Sequence, residues 1–130
     1  MIYLIDTSVW LDFLNKRNDF SHIKELRKFL NDRKAVWCPM VQLELQRTGK
    51  NRESALALFS EVLPSLEITQ SVWKLAYAIG LKCSKKGRPV PNSDVLIYAT
   101  AFHHNCTVFH NDKHFDWLAE IFPQKSEIQT

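Results

Sequence analysis

The stretch Ile2-Tyr3-Leu4-Ile5-Asp6-Thr7-Ser8-Val9 decides the fold class. Four apolar or aromatic residues in a row, without polar alternation, read as a strand buried on both faces. Asp6-Thr7-Ser8 then stops it with side chains that favour the N-cap of a helix. A strand covered on both sides belongs to a parallel sheet flanked by helices.

Outward from that strand, helix and strand alternate. Trp10, Leu11, Phe13 and Leu14 spread apolar surface over more than one face of a short helix, leaving a surplus for a partner. From Ser21, Ile23, Leu26, Phe29 and Leu30 recur near a 3.6 period among basic residues, an amphipathic helix. Ala35-Val36-Trp37-Cys38 is a second short strand closed by Pro39, and Met40 to Arg47 reads as a helix ended by Gly49. Asn51 can cap a further helix carrying Leu56, Phe59 and Leu63 up to Pro64. Leu66 and Ile68 flank Glu67 in the alternation of a half-buried strand. Ser71 to Lys86 places Val72, Leu75, Ala76, Ile79 and Cys83 on one helical face and stops at Gly87. Asn92 or Ser93 can cap a helix through His103, and Cys106-Thr107-Val108-Phe109 supplies another buried strand. The pattern is α/β, a three-layer α/β/α sandwich around a short parallel sheet, with residues 1–130 as one domain.

With 45% hydrophobic residues and only 3 Gly and 5 Pro in 130, the chain has the composition of a folded domain rather than a disordered or linker-rich one. Cys38, Cys83 and Cys106 are odd in number and widely separated, which suggests neither a disulfide framework nor a zinc knuckle. Reduced thiols, no basic leader before Met1-Ile2 and no apolar run near the roughly 20 residues of a membrane span make a cytoplasmic protein the expectation.

In open α/β sheets, functional groups gather beyond the carboxyl ends of the strands. Asp6 ends the first strand, Asp112 follows the Cys106–Phe109 strand, Glu44 lies on the helix after the second strand, and Asp94 opens the helix beginning near Asn92. Each has an ordinary alternative: Asp6 and Asp94 as helix caps, Glu44 as a solvent-facing helix residue, Asp112 as a turn former. Glu67 and Asp116 also sit beside apolar residues, but on faces that alternation and amphipathicity leave exposed. Burying four carboxylates together costs several kcal/mol each unless a counter-charge is present. A divalent cation with hard oxygen ligands, Mg²⁺ or Mn²⁺, meets that need and suits phosphodiester hydrolysis.

These segments together resemble the PIN-domain ribonucleases. The resemblance is carried by the opening strand into Asp6-Thr7-Ser8-Val9, by Val41-Gln42-Leu43-Glu44-Leu45, by Asn92-Ser93-Asp94-Val95-Leu96-Ile97 and by Asn111-Asp112-Lys113-His114-Phe115. Size and layout are most similar to the VapC-type toxins of prokaryotic toxin-antitoxin pairs. The resemblance implies an endoribonuclease dependent on Mg²⁺ or Mn²⁺. Asp6, Asp94 and Asp112 would hold the metal most directly, with Glu44 acting through water or a second ion, and Thr7, Ser8 and Asn111 in support. It also implies an RNA substrate, a cognate antitoxin that would bring DNA binding indirectly, and a homodimer. Two positions depart from the family pattern: His110 stands where a small hydroxyl residue is common, and His114 where a further acid often appears. Either could shuttle a proton, although isolated histidines beside loops are commonly structural. His103 and His104, adjacent on a helix, point apart and cannot chelate one ion.

A formal charge of +3, from 17 basic and 14 acidic residues, permits nucleic acid without requiring it. Arg47, Lys50 and Arg52 follow Glu44 with no acid between, and Lys82, Lys85, Lys86 and Arg88 precede Asp94 in the same way. Arg47, Lys50, Lys86 and Arg88 are candidate RNA contacts, against the alternative of ordinary solvated helix ends. Aspartate-nucleophile phosphatases also open on a strand ending in Asp, but need a second acid where Ser8 stands. The competing readings are a catalytically inactive RNA-binding or interaction module of the same fold, and an RNA-processing nuclease without an antitoxin.

Overall fold

The computed structural model describes residues 1–16, 21–47 and 53–124. Its elements run β1 (Tyr3–Ile5), α1 (Thr7–Leu14), α2 (Ser21–Asn31), β2 (Ala35–Val36), α3 (Pro39–Arg47), α4 (Glu53–Val62), α5 (Gln70–Lys85), α6 (Asn92–His103), β3 (Thr107–Phe109) and α7 (Lys113–Ile121). The sheet has the order β2-β1-β3, all parallel, with β1 in the centre. Register sets Tyr3 beside Ala35 and Thr107, and Ile5 beside Phe109. Helices on both faces complete the α/β/α sandwich.

Leu4 and Ile5 point to opposite faces of β1 and both are fully buried, which accounts for the missing polar alternation. Tyr3 stacks on Phe29 of α2 at 4.1 Å, and Phe109 meets the same Phe29 ring edge-on at 5.1 Å, so α2 covers that face. Trp10, Trp37 and Phe59 form a second aromatic cluster joining α1, the end of β2 and α4. Every residue of α6 from Asp94 to Ala101 is buried. Its apolar run is that of a helix enclosed by neighbours, and no helix among the described residues is long and apolar enough to cross a membrane.

Several boundaries differ from the sequence reading for identifiable reasons. Residues 66–68 form no strand: Ser65 makes one isolated parallel bridge with Trp37, and Leu66 N–H bonds the Trp37 carbonyl at 2.8 Å before the chain turns into α5. Neither Asn92 nor Ser93 caps α6. Pro91 holds the N-cap position without a side-chain bond, its φ of −58° leading the chain straight into the helix. Pro39 starts α3 rather than closing β2 from outside it, the position where a missing N–H costs nothing. At the end of α5, Gly87 adopts φ +67°, with Gly87 N–H bonded to Ser84 O and Arg88 N–H to Cys83 O, both at 3.0 Å. This is a Schellman stop, and it delivers Arg88 toward α7. Gly49, Lys50, Asn51 and Arg52, given roles above, lie outside the described residues. In α1, Trp10 is wholly buried and Leu11, Phe13 and Leu14 half-buried, so most of the apolar surplus is core.

Candidate active site

The register of β1 against β3 brings the first and last proposed acids together. Asp6 N–H continues the ladder to Phe109 O at 2.9 Å, so Asp6 leaves the sheet beside the strand end that leads to Asp112. Asp6 is 3% exposed and caps α1: its Oδ2 accepts from Ser8 N–H at 3.1 Å and from Ser8 Oγ–H at 2.7 Å. Ser8 Oγ in turn accepts from Asn111 N–H at 3.1 Å, tying the loop before α7 to the start of α1. Thr7 Oγ–H donates to Glu44 Oε1 at 2.8 Å, holding the α3 carboxylate inward rather than toward solvent. Asp6 therefore caps α1 and, with the same side chain, stands close enough to Asp94 and Asp112 to repel them. Asp112 likewise caps α7, its Oδ1 accepting from His114 N–H at 3.0 Å.

Asp94 enters from α6 and is 8% exposed. Its Oδ2 lies 3.2 Å from His114 Nδ1, and Asp112 Oδ1 lies 2.9 Å from the same nitrogen. Asp94, Asp112 and His114 each offer a donor atom within 4.8 Å of the others.

Electrostatics record the crowding. Burial, followed by the charges of Asp6 and Asp112 and more weakly Glu44, pushes the Asp94 carboxyl up to about 7, with His114 opposing. Burial also raises Asp6, against the Ser8 and Thr7 hydrogen bonds that favour its charged form, with Asp112 adding a small repulsion. Glu44 is raised by burial first and by Asp6, the Thr7 bond partly offsetting both. Carboxylates that disfavour one another's ionisation form an electronegative pocket fitted to a divalent cation. Oxygen donors from three helix starts and α3, together with a buried His114 Nδ1 that makes no hydrogen bond, suit such an ion.

A family model for the PIN domain matches residues 3–121. The chain belongs to the PIN domain family. Among curated proteins, this PIN domain is 27% identical over 124 residues to the VapC ribonuclease Mb1587 of Mycobacterium bovis, covering 91% of this chain and 92% of that protein. It has the same identity and coverage with ribonuclease VapC11 of Mycobacterium tuberculosis. Among solved structures it resembles VapBC2 from Rickettsia felis bound to a promoter DNA fragment, with TM-score 0.76, 24% identity and coverage of 90% of this chain and 92% of the other. It also resembles VapBC-1 from nontypeable Haemophilus influenzae, with TM-score 0.71, 22% identity and coverage of 92% and 94%.

Within this PIN fold, the structure gathers Asp6, Glu44, Asp94 and Asp112 around one end of the sheet, with Thr7, Ser8 and Asn111 bonded among them. The basic candidates are more dispersed. Arg88 lies over the Trp117 ring at 4.9 Å and 3.8 Å from Glu120, while Lys113 approaches Trp117 at 5.3 Å. Trp117 packs edge-on against His114 at 5.4 Å, so two rings, Trp117 and His114, link Arg88 to the acids. Arg47 is exposed at the end of α3 and Lys86 is exposed at the end of α5. Lys50 lies outside the described residues. Trp117 was missed by the sequence reading; its signal is the i+3 spacing from His114 on α7. His110 turns aside: its Nδ1 accepts from Asp112 N–H at 3.3 Å and its Nε2 faces Asp116 at 3.7 Å. His104 Nε2 is bonded to the Glu67 carbonyl at 2.8 Å, away from any acid cluster.

Proposed function

We propose that this PIN domain is a divalent-metal-dependent endoribonuclease, a hydrolase of RNA phosphodiester bonds acting as the toxin of a type II toxin-antitoxin pair. The observation that carries the reading is the convergence of four carboxylates, from the end of β1, α3, α6 and the start of α7, onto one place, where burial and mutual repulsion hold the Asp6, Glu44 and Asp94 carboxyls above their usual range. Mg²⁺ or Mn²⁺, when bound, supplies charge neutralisation at phosphorus and an acidified water.

The chain's own residues do the positioning. Asp94 and Asp112, with Asp6 beside them, hold the ion. Ser8 fixes one Asp6 oxygen, leaving the other for the site. Thr7 orients Glu44 so that its second oxygen is available to accept a proton from an attacking water. Arg88, Lys86 and Arg47 supply the basic approach for RNA phosphates, with Lys50 assigned the same role from its place in the sequence alone, and single-stranded or looped RNA suits such a site because its backbone can bend toward the acids.

The relatives' names support ribonuclease activity, and the VapBC neighbours support an antitoxin partner. An antitoxin segment would cover the half-buried Leu11, Phe13 and Leu14 of α1 and bring DNA binding to the pair. For the homodimer the surface that fits is on α5, where Trp73, Tyr77 and Leu81 lie at i, i+4 and i+8, all exposed, and line a groove of about 670 Å³ whose other wall is Val95 and Leu96 of α6. A cytoplasmic location follows from the same reading.

The test is cleavage of a structured RNA by wild type and Asp6→Asn, with chelator, Mg²⁺ or Mn²⁺, alongside growth arrest on induction. Cleavage that needs the metal and Asp6 supports the reading; cleavage indifferent to both ends it. Growth arrest relieved by a co-expressed upstream DNA-binding protein separates a toxin from a housekeeping nuclease.

A further inference from the structure

The four-carboxylate site leaves one group unused. His114 Nδ1 is excluded from solvent and makes no hydrogen bond, although it lies 2.9 Å from Asp112 Oδ1 and 3.2 Å from Asp94 Oδ2. Asp112 Oδ1 accepts instead from the backbone N–H of the same residue. The ring nitrogen is at ion-pair distance from two carboxylates yet aligned for a hydrogen bond with neither, an arrangement that a cation between the three would satisfy as well as a ring proton would.

The arrangement is held, not accidental. Asp112 caps α7, so His114 falls in the first turn with its backbone on the cap, and the Trp117 ring one turn later stands edge-on to the imidazole. Separations of 2.9 and 3.2 Å match adjacent corners of an octahedron with bonds of about 2.1–2.2 Å, the range of small divalent cations.

We propose that His114 Nδ1 is a metal ligand beside Asp94 and Asp112, and that this one-nitrogen, two-oxygen set selects a first-row transition cation such as Mn²⁺ over Mg²⁺. Mg²⁺ favours an all-oxygen shell rich in water, whereas imidazole nitrogen binds transition cations more strongly. The proposal rests on the metal-dependent reading above and specifies which ion that site prefers.

The experiment titrates the metal-stripped full chain with Mn²⁺ and with Mg²⁺ by calorimetry and records pulsed EPR of the Mn²⁺-loaded protein. Wild type shows ¹⁴N coupling from a directly bound imidazole and prefers Mn²⁺ by at least about tenfold. His114→Asp and His114→Gln, each checked for an unchanged circular dichroism spectrum, lose the coupling, and His114→Asp also loses most of the preference. His110→Ala keeps both, assigning the nitrogen to His114. Mn²⁺ binding without nitrogen coupling, or a His114→Asp protein with the wild-type preference, overturns the proposal and leaves the metal-dependent reading standing. Binding of neither ion by the folded wild type overturns both.

Discussion

Thr7 Oγ–H reaches across 37 residues of sequence to Glu44 Oε1 at 2.8 Å, a direct side-chain bond between α1 and the α3 carboxylate. Hydrogen bonds to charged groups contribute about 1.5–3 kcal/mol. Thr7→Val keeps the shape and removes the donor, so the expected outcome is RNA cleavage reduced by about tenfold or more, with Thr7→Ser close to wild type. An unchanged rate in Thr7→Val would mean that Glu44 needs no orientation from Thr7.

Asp6→Asn separates chemistry from folding. Asn caps a helix as well as Asp does, and the neutral amide removes a buried like charge. Cleavage is expected to fall by at least about a hundredfold, in keeping with loss of a group that stabilises transition-state charge. The metal-free melting temperature should hold or rise. A folded-state loss comparable to the activity loss would show that Asp6 serves structure first.

The raised carboxyls make the metal-free protein lose stability with rising pH. A group whose folded pKa lies above its unfolded value stabilises fully below the unfolded value and ceases to do so as pH passes the folded one. For Asp94 that window runs from the ordinary 3.8 to about 7, and its contribution is at most about 4 kcal/mol. Asp6 and Glu44 shift in the same direction. Urea unfolding with chelator present should therefore show lower stability at pH 8 than at pH 5. Asp94→Asn should flatten the dependence and Mn²⁺ should reverse it. A chelated protein equally stable at both values contradicts the crowded-acid picture.

How much of this was legible beforehand depends on the length of each signal. The unbroken Ile2–Ile5 run and the full helical period over residues 72–83 identify β1 and α5 because burial on two faces, or on one stripe, leaves a pattern in sequence. Residues 66–68 mislead because alternation describes side-chain burial, while a strand also needs a partner, and Trp37 offers only one bridge. Asp6, Glu44, Asp94 and Asp112 stand out by their position after strands. Their neighbour His114 is legible only as a departure from the family pattern and a proton-shuttle candidate, since its contact with Asp94 and Asp112 depends on how Asp112 turns the chain into α7.

Arg88 gives a test of the RNA approach. Its guanidinium rests on Trp117 near the acids, so Arg88→Ala should raise KM for RNA several-fold with kcat little changed, and lower the dependence of binding on salt by about one counter-ion. A drop in kcat at constant KM would place Arg88 in the chemical step instead.

Sedimentation tests the α5 face. Tyr77→Arg or Leu81→Arg alters a side chain that is 67% or 58% exposed, so the fold should persist while a dimer, if that face forms it, dissociates to monomer. Unaltered dimers in both variants would move the interface elsewhere.

The pairing of Tyr3 with Thr107 spans nearly the whole chain. During synthesis, β1 leaves the ribosome long before its β3 partner exists, and Asp6 waits without Asp112 until the segment leading into α7 has emerged. A half-made chain therefore has no complete acidic pocket: on the proposed reading, no RNA, its own message included, meets all four acids until the segment leading into α7 has been made.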